Sequence, residues 1–128
     1  MKLNSIGARE LLEKERVNQK DDRWIEHCIS VGDSAGRIAK ALCEKEINVD
    51  IDKAITLGYL HDIGKLMIPS SILQKPAKLT DEEYEIMKKH TIYGYEICMK
   101  DKNLKPYSAG ALYHHEALNG SRIPLSVF

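Results

Sequence analysis

The 128-residue chain has no surplus of charge of either sign, with 19 Lys and Arg against 19 Asp and Glu. It therefore lacks the basic footprint by which a nucleic-acid polymer is gripped, although a small phosphate-bearing ligand needs only a few local cations. Cysteine is sparse. Cys28, Cys43 and Cys98 form an odd, widely spaced set with no CxxC pair, which argues against a zinc finger or a redox pair. Three reduced thiols fit a cytoplasmic protein, and Cys28 and Cys43 read as small core residues rather than ligands. No apolar run approaches the ~18 residues of a membrane span. The opening MKLNSIGARELLEKER has no apolar stretch of the signal-peptide kind. Period-2 alternation, internal repeats and low-complexity tracts are also missing.

What is present is a helical pattern in a chain of ordinary soluble composition, 43% hydrophobic and 30% charged, long enough for one core. Ser5 to about Asn18 reads as an amphipathic helix. Trp24, Cys28, Val31, Ala35, Ile38 and Leu42 recur at three- and four-residue steps and predict a long second helix with that stripe inward. Asp50 or Asp52 is placed to cap a third helix, which carries Ala54, Leu57, Gly58 and His61 on one face, with Gly64 suited to its C-terminal end. Residues 66–79, with Pro69 and Pro76, read as an irregular connection. Thr80 and Glu83 match a capping box, and Leu79 with Tyr84 a hydrophobic staple. The helix that follows runs to about Met99, and a last one from about Tyr107 to Glu116 carries Ala111, Leu112 and His115 on one side. The fold class is all-α.

The five histidines are not scattered. His61 heads His61-Asp62-Ile63-Gly64-Lys65, His114 and His115 precede Glu116, and His27 and His90 fall on or beside apolar helical faces. A single inward histidine is usually a hydrogen-bonded core residue. Several converging from different helices can satisfy one another on a metal, for which neutral imidazole is a good ligand. A buried polar group left without a partner costs roughly 1–3 kcal/mol. Asp62, beside His61 at a helix end, is placed to bridge two ions.

These residues resemble the HD superfamily of metal-dependent phosphohydrolases, and within it the HD-GYP subgroup. The resemblance rests on His27, on the HDIGK string, and on Ile68-Pro69 followed by Ile72-Leu73-Gln74-Lys75-Pro76-Ala77-Lys78-Leu79-Thr80-Asp81-Glu82-Glu83. It continues through Met87-Lys88-Lys89-His90, Gly94 and His114-His115-Glu116, and covers about residues 24 to 124. The departures are as specific. GYP reads Arg122-Ile123-Pro124, the aspartate before the motif glycine is Asn119, and Arg23 replaces an acidic residue that some members carry, which argues against a third metal. Phe128 comes before the further helix in which members carry another metal-binding aspartate, so the chain is expected to be C-terminally truncated and to miss the usual last helices.

The resemblance implies an HD-domain helical bundle, with an N-terminal helix over 1–20 and one HD domain over 21–128. It implies a phosphodiesterase acting on a cyclic dinucleotide such as cyclic di-GMP through two divalent transition metals, iron or manganese ahead of zinc, nickel or magnesium. The implied ligands are His27, His61, Asp62, His90, His114 and His115. Lys65 and Asp62 take catalytic roles, Lys65 neutralising phosphate charge or protonating the leaving oxygen, and Lys75, Lys78 and Arg122 meet the substrate's phosphates. Absent that family, Lys65 reads as a solvated lysine at a helix end. The alternatives are a non-catalytic HD-fold signalling or interaction module, with apolar surface favouring a homodimer, and an HD nucleotide phosphohydrolase.

Overall fold

A computed structural model of the chain describes residues 4–19 and 22–115. Every regular element among them is helical, as the all-α reading requires, and no described helix is long and apolar enough to cross a membrane. They group into two compact units that divide between Leu60 and His61.

The first unit holds α1 (Ser5–Arg16), α2 (Arg23–Glu44) and α3 (Ile51–Leu60). Asn4 caps α1, its side chain accepting the Gly7 amide hydrogen at 2.9 Å. Of the two aspartates offered for α3, Asp50 is the cap: its Oδ1 accepts the Lys53 amide hydrogen at 3.0 Å. Asp52 instead accepts from the Ser5 backbone amide and hydroxyl, tying the start of α1 to α3. The face that α2 buries is not the expected stripe. Trp24 and Cys28 are inside, but Ile25, Ile29, Gly32, Gly36 and Ala39 complete the buried set, and Ile38 is 63% exposed. The reason is steric. A Cβ on Gly58 would lie 2.5 Å from the Gly32 Cα, and one on Gly32 would strike the Tyr59 ring. The glycines let α2 and α3 approach through their backbones, so the contact turns on the smallest residues and not on the bulkiest. Tyr59, at the crossing, donates its hydroxyl to Asp33 Oδ1 at 2.6 Å.

The second unit begins with a 3-10 helix (Ile63–Met67), followed by α4 (Ser70–Leu73), α5 (Asp81–Lys88), α6 (His90–Lys100), a 3-10 turn (Lys105–Tyr107) and α7 (Ser108–Tyr113). The segment expected to be irregular is thus partly helical. The capping box is present in both halves: the Thr80 hydroxyl accepts the Glu83 amide hydrogen, and the Glu83 carboxylate accepts that of Thr80. Lys75 reaches the same carboxylate. Together they hold the Glu83 carboxyl down to about 2, with Lys75 the largest influence. The single helix expected from Thr80 to Met99 is two, interrupted at Lys89. There the amide hydrogen turns back to the Ile86 carbonyl at 3.1 Å, and the regular ladder resumes with Tyr93 to Lys89 at 2.9 Å.

Glu46 carries the one left-handed backbone among the described non-glycine residues, with φ of 65°. It sits where α2 ends and Ile47 donates to the Leu42 carbonyl at 3.0 Å, a position at which a helix commonly places glycine. A side chain there costs roughly 1–2 kcal/mol. Glu46→Gly is therefore expected to raise the thermal midpoint by a few degrees, and an unchanged or lowered midpoint in calorimetry contradicts this.

Candidate metal centre

The second unit brings a carboxylate and a set of imidazoles to one place by way of three chain segments. Asp62 lies where the chain enters the first 3-10 helix, His90 is the first residue of α6, and His114 and His115 follow the last turn of α7. One donor atom each from Asp62, His90, His114 and His115 lies within 4.8 Å of the others. Asp62 and His90 are buried, His114 is half-buried and His115 is exposed.

Gly64 makes the convergence sterically possible. The sequence suggested it as a helix terminator, but α3 has already ended at Leu60 and Gly64 lies inside the 3-10 helix. Its role is close approach. A Cβ there would sit 1.7 Å from the His90 carbonyl oxygen and 2.5 Å from the Gly94 amide nitrogen. Gly94 faces Ala111 in turn, where an added Cβ would come to 3.0 Å from the Ala111 Cβ. Two glycines and an alanine thus allow the 3-10 helix, α6 and α7 to meet, and the ligand-type side chains follow.

The two oxygens of Asp62 have different surroundings. Oδ2 faces the His61 Nε2 at 3.1 Å and the Lys65 ammonium at 3.4 Å. Oδ1 faces the Nε2 atoms of His114 at 3.0 Å and His90 at 3.2 Å, and these two nitrogens are 3.3 Å apart. The other nitrogen of each ring is already committed. His90 Nδ1–H donates to the Met87 carbonyl at 2.7 Å, and His114 Nδ1–H to the Ala111 carbonyl at 2.9 Å. A neutral imidazole with its proton on Nδ1 presents a lone pair at Nε2. Oδ1 is buried and has no hydrogen-bond partner. Burial alone would push the Asp62 carboxyl up, but His114, His61 and His90 outweigh it and hold it far below the usual carboxylate range, so Asp62 is ionised. With each Nδ1 bonded to a carbonyl, neutral His90 and His114 would turn Nε2 lone pairs toward Oδ1, an arrangement that a divalent cation satisfies and apolar packing does not. The donor set, imidazole nitrogen with one carboxylate, suits zinc, iron, manganese or nickel. His115 stands beside it: partial desolvation of its ring, with His114 and His90 adding to it, lowers this imidazole to about 4, so it is neutral at pH 7 and offers a lone pair.

Sequence reasoning missed the two carbonyls that orient the rings. Both belong to helix ends, where carbonyls have no amide partner within the helix. Met87 is in the last turn of α5 and Ala111 in that of α7, each three residues before the histidine it serves. The spacing is visible in the sequence, but the free carbonyl depends on where the helix stops.

His27 is an exposed residue of α2 in the first unit. Lys65 is half-buried and directed at Asp62. Lys75 is engaged by Glu83, and Lys78 is exposed. Arg122, like Glu116, Asn119 and the motif proline Pro124, lies outside the described residues.

Residues 24–127 match the HD domain family. The chain belongs to that family. Among its curated relatives is a cyclic di-GMP phosphodiesterase of Thermotoga maritima, 44% identical over 101 residues, which are 77% of this chain and 27% of the relative. The cyclic di-GMP phosphodiesterase response regulator RpfG of Xanthomonas campestris pv. campestris is 40% identical over 94 residues, 70% of this chain and 24% of the relative. A 3'3'-cGAMP-specific phosphodiesterase 1 of Vibrio cholerae is 33% identical over 112 residues, 84% of this chain and 25% of the relative. The likeness bears out the HD-GYP-like reading of the motifs. The chain spans about a quarter of the length of these relatives.

The close approach at Gly64 gives a direct test. Gly64→Ala forces a methyl group into a backbone carbonyl, a clash that costs about 1–3 kcal/mol or more. The variant should show a lowered thermal midpoint and weakened metal binding together. A Gly64→Ala protein that melts and binds metal like the parent would show that the three segments do not need this contact.

Proposed function

We propose that this chain is a metal-dependent phosphodiesterase domain that hydrolyses a cyclic dinucleotide, with cyclic di-GMP the first substrate to test. One observation carries the reading: the buried Asp62 Oδ1 faces the Nε2 atoms of His90 and His114, and the Nδ1 of each ring is bonded to a backbone carbonyl. The relatives named cyclic di-GMP and 3'3'-cGAMP phosphodiesterases support the substrate class.

Asp62, His90, His114 and His115 are the proposed ligands, with His61 beside Asp62, and His27 is added from its motif position. A bound pair of divalent ions, iron or manganese in first place, supplies an acidified water and charge compensation for the phosphoryl oxygens. The chain's own groups do the rest. The Asp62 carboxylate keeps both edges available, one toward the imidazoles and one toward Lys65. Lys65 is held by that second edge, so its ammonium stays beside the cluster, where it neutralises a phosphate oxygen or supplies a proton to the leaving oxygen. The Met87 and Ala111 carbonyls keep the rings from rotating. Lys78 and Arg122 are proposed contacts for the second phosphate of the dinucleotide. Lys75 enters in the same role only when it leaves Glu83.

The protein, purified without oxygen and without a histidine tag, is expected to retain transition metal, about two ions per chain. It should linearise cyclic di-GMP, and Asp62→Ala should lose the metal and about 100-fold or more of the rate. Retention of phosphodiester hydrolysis by Asp62→Ala contradicts the proposal. Hydrolysis of mononucleotides with no action on cyclic dinucleotides would move the chain to the nucleotide phosphohydrolase reading.

A further inference from the structure

Two side-chain hydrogen bonds lie at the interruption between α5 and α6. With the helical ladder broken at Lys89, the carbonyls at the end of α5 need other donors. Two side chains reach back to them from the first turn of α6, each over three residues. His90 Nδ1–H takes the Met87 carbonyl at 2.7 Å, and the Thr91 hydroxyl donates to the Lys88 carbonyl at 3.1 Å. Thr91 is buried, 4% exposed, so its hydroxyl has no solvent to turn to.

We propose that Thr91 is a positioning residue for His90. By occupying the Lys88 carbonyl it keeps α5 and α6 from running together as one helix, and so leaves the Met87 carbonyl for the imidazole. In a continuous helix the Thr91 and Ile92 amide hydrogens would take the Met87 and Lys88 carbonyls. His90 would then lose the acceptor that fixes its proton on Nδ1 and its lone pair toward Asp62. The inference rests on the reading of the cluster as a metal centre, and it adds a residue that touches no ligand atom.

The fold contains its own comparison. Thr56 is also fully buried and also donates its hydroxyl to a carbonyl of its own helix, that of Asp52 at 2.8 Å. That bond lies inside the intact α3, four residues back, where it supports no break. If Thr91 were only a satisfied buried hydroxyl, removing it would resemble removing that of Thr56.

The test uses Thr91→Val, which replaces the hydroxyl with a methyl group at nearly constant shape, with Thr91→Ser as rescue and Thr56→Val as comparison. Thr91→Ala is read in the same way should the valine variant not fold. The readouts are the tautomer of His90, from nitrogen NMR of 15N-histidine-labelled, metal-free protein, and the dissociation constant for Mn2+ from calorimetry. Thr91→Val should move His90 off the pure Nδ1–H form and weaken Mn2+ binding roughly 10–100-fold. Thr91→Ser should restore both, and Thr56→Val should change thermal stability alone. A folded Thr91→Val protein with the parent's tautomer and affinity overturns the proposal, as does a Thr56→Val protein that shifts both equally. If the parent binds no Mn2+ yet Thr91→Val still moves the His90 tautomer, the positioning role stands and the metal reading falls.

Discussion

A buried carboxylate oxygen ringed by imidazole nitrogens is the constraint on which the second unit is built. Asp62 Oδ1 lies among the Nε2 atoms of His90 and His114, and the Nδ1 of each ring is bonded to a backbone carbonyl. An isolated arrangement of this kind is costly to bury, since it sets lone pair against lone pair away from water. A chain retains it when a cation repays the cost. The helix ends, the two glycines and the short 3-10 segment between Asp62 and α6 all serve to hold that oxygen and those nitrogens in place.

Much of the precision comes from places where helices stop. The carbonyls of Met87 and Ala111 are within reach of the imidazoles because α5 and α7 end near them, and each is three residues from the histidine it holds. Regular helix would have taken both. The short helices of the second unit, only six residues in α7 and eight in α5, therefore supply more orphan carbonyls per residue than long ones could. The first unit follows the opposite rule. There the 22-residue α2 runs unbroken, and its contact with α3 is set by backbone approach through Gly32 and Gly58.

The sequence carried the helices and the gathering of ligand-type side chains well, because both are written in residue types. Amphipathic spacing located α1, α2 and α3, and Thr80 with Glu83 marked the start of α5. The HD string and the paired histidines identified the cluster before any geometry was known. Three things were not legible. The buried face of α2 was misread because a hydrophobic stripe weights bulky residues, whereas the contact runs through glycine. Gly64 was read as a helix end because its use in close approach depends on α6, thirty residues away in sequence. The break at Lys89 was missed because Met87, Lys88 and Lys89 are all good helix formers. At the interruption His90 and Thr91 bond back to the Met87 and Lys88 carbonyls, which propensity does not describe. Arg122 and the altered GYP tripeptide lie outside the described residues, so their reading stays with the sequence.

The central claim is that His90 and His114 are held as Nδ1–H tautomers with unprotonated Nε2 atoms facing Asp62. Nitrogen NMR of the 15N-histidine-labelled parent protein, metal-free at neutral pH and then titrated with Zn2+, tests this most directly. The account predicts two imidazoles with the proton on Nδ1 before zinc, and a shift confined to their Nε2 resonances on addition. Nε2–H signals from either ring, unchanged by zinc, would mean that the cluster is a closed hydrogen-bonded network and not a site for a metal.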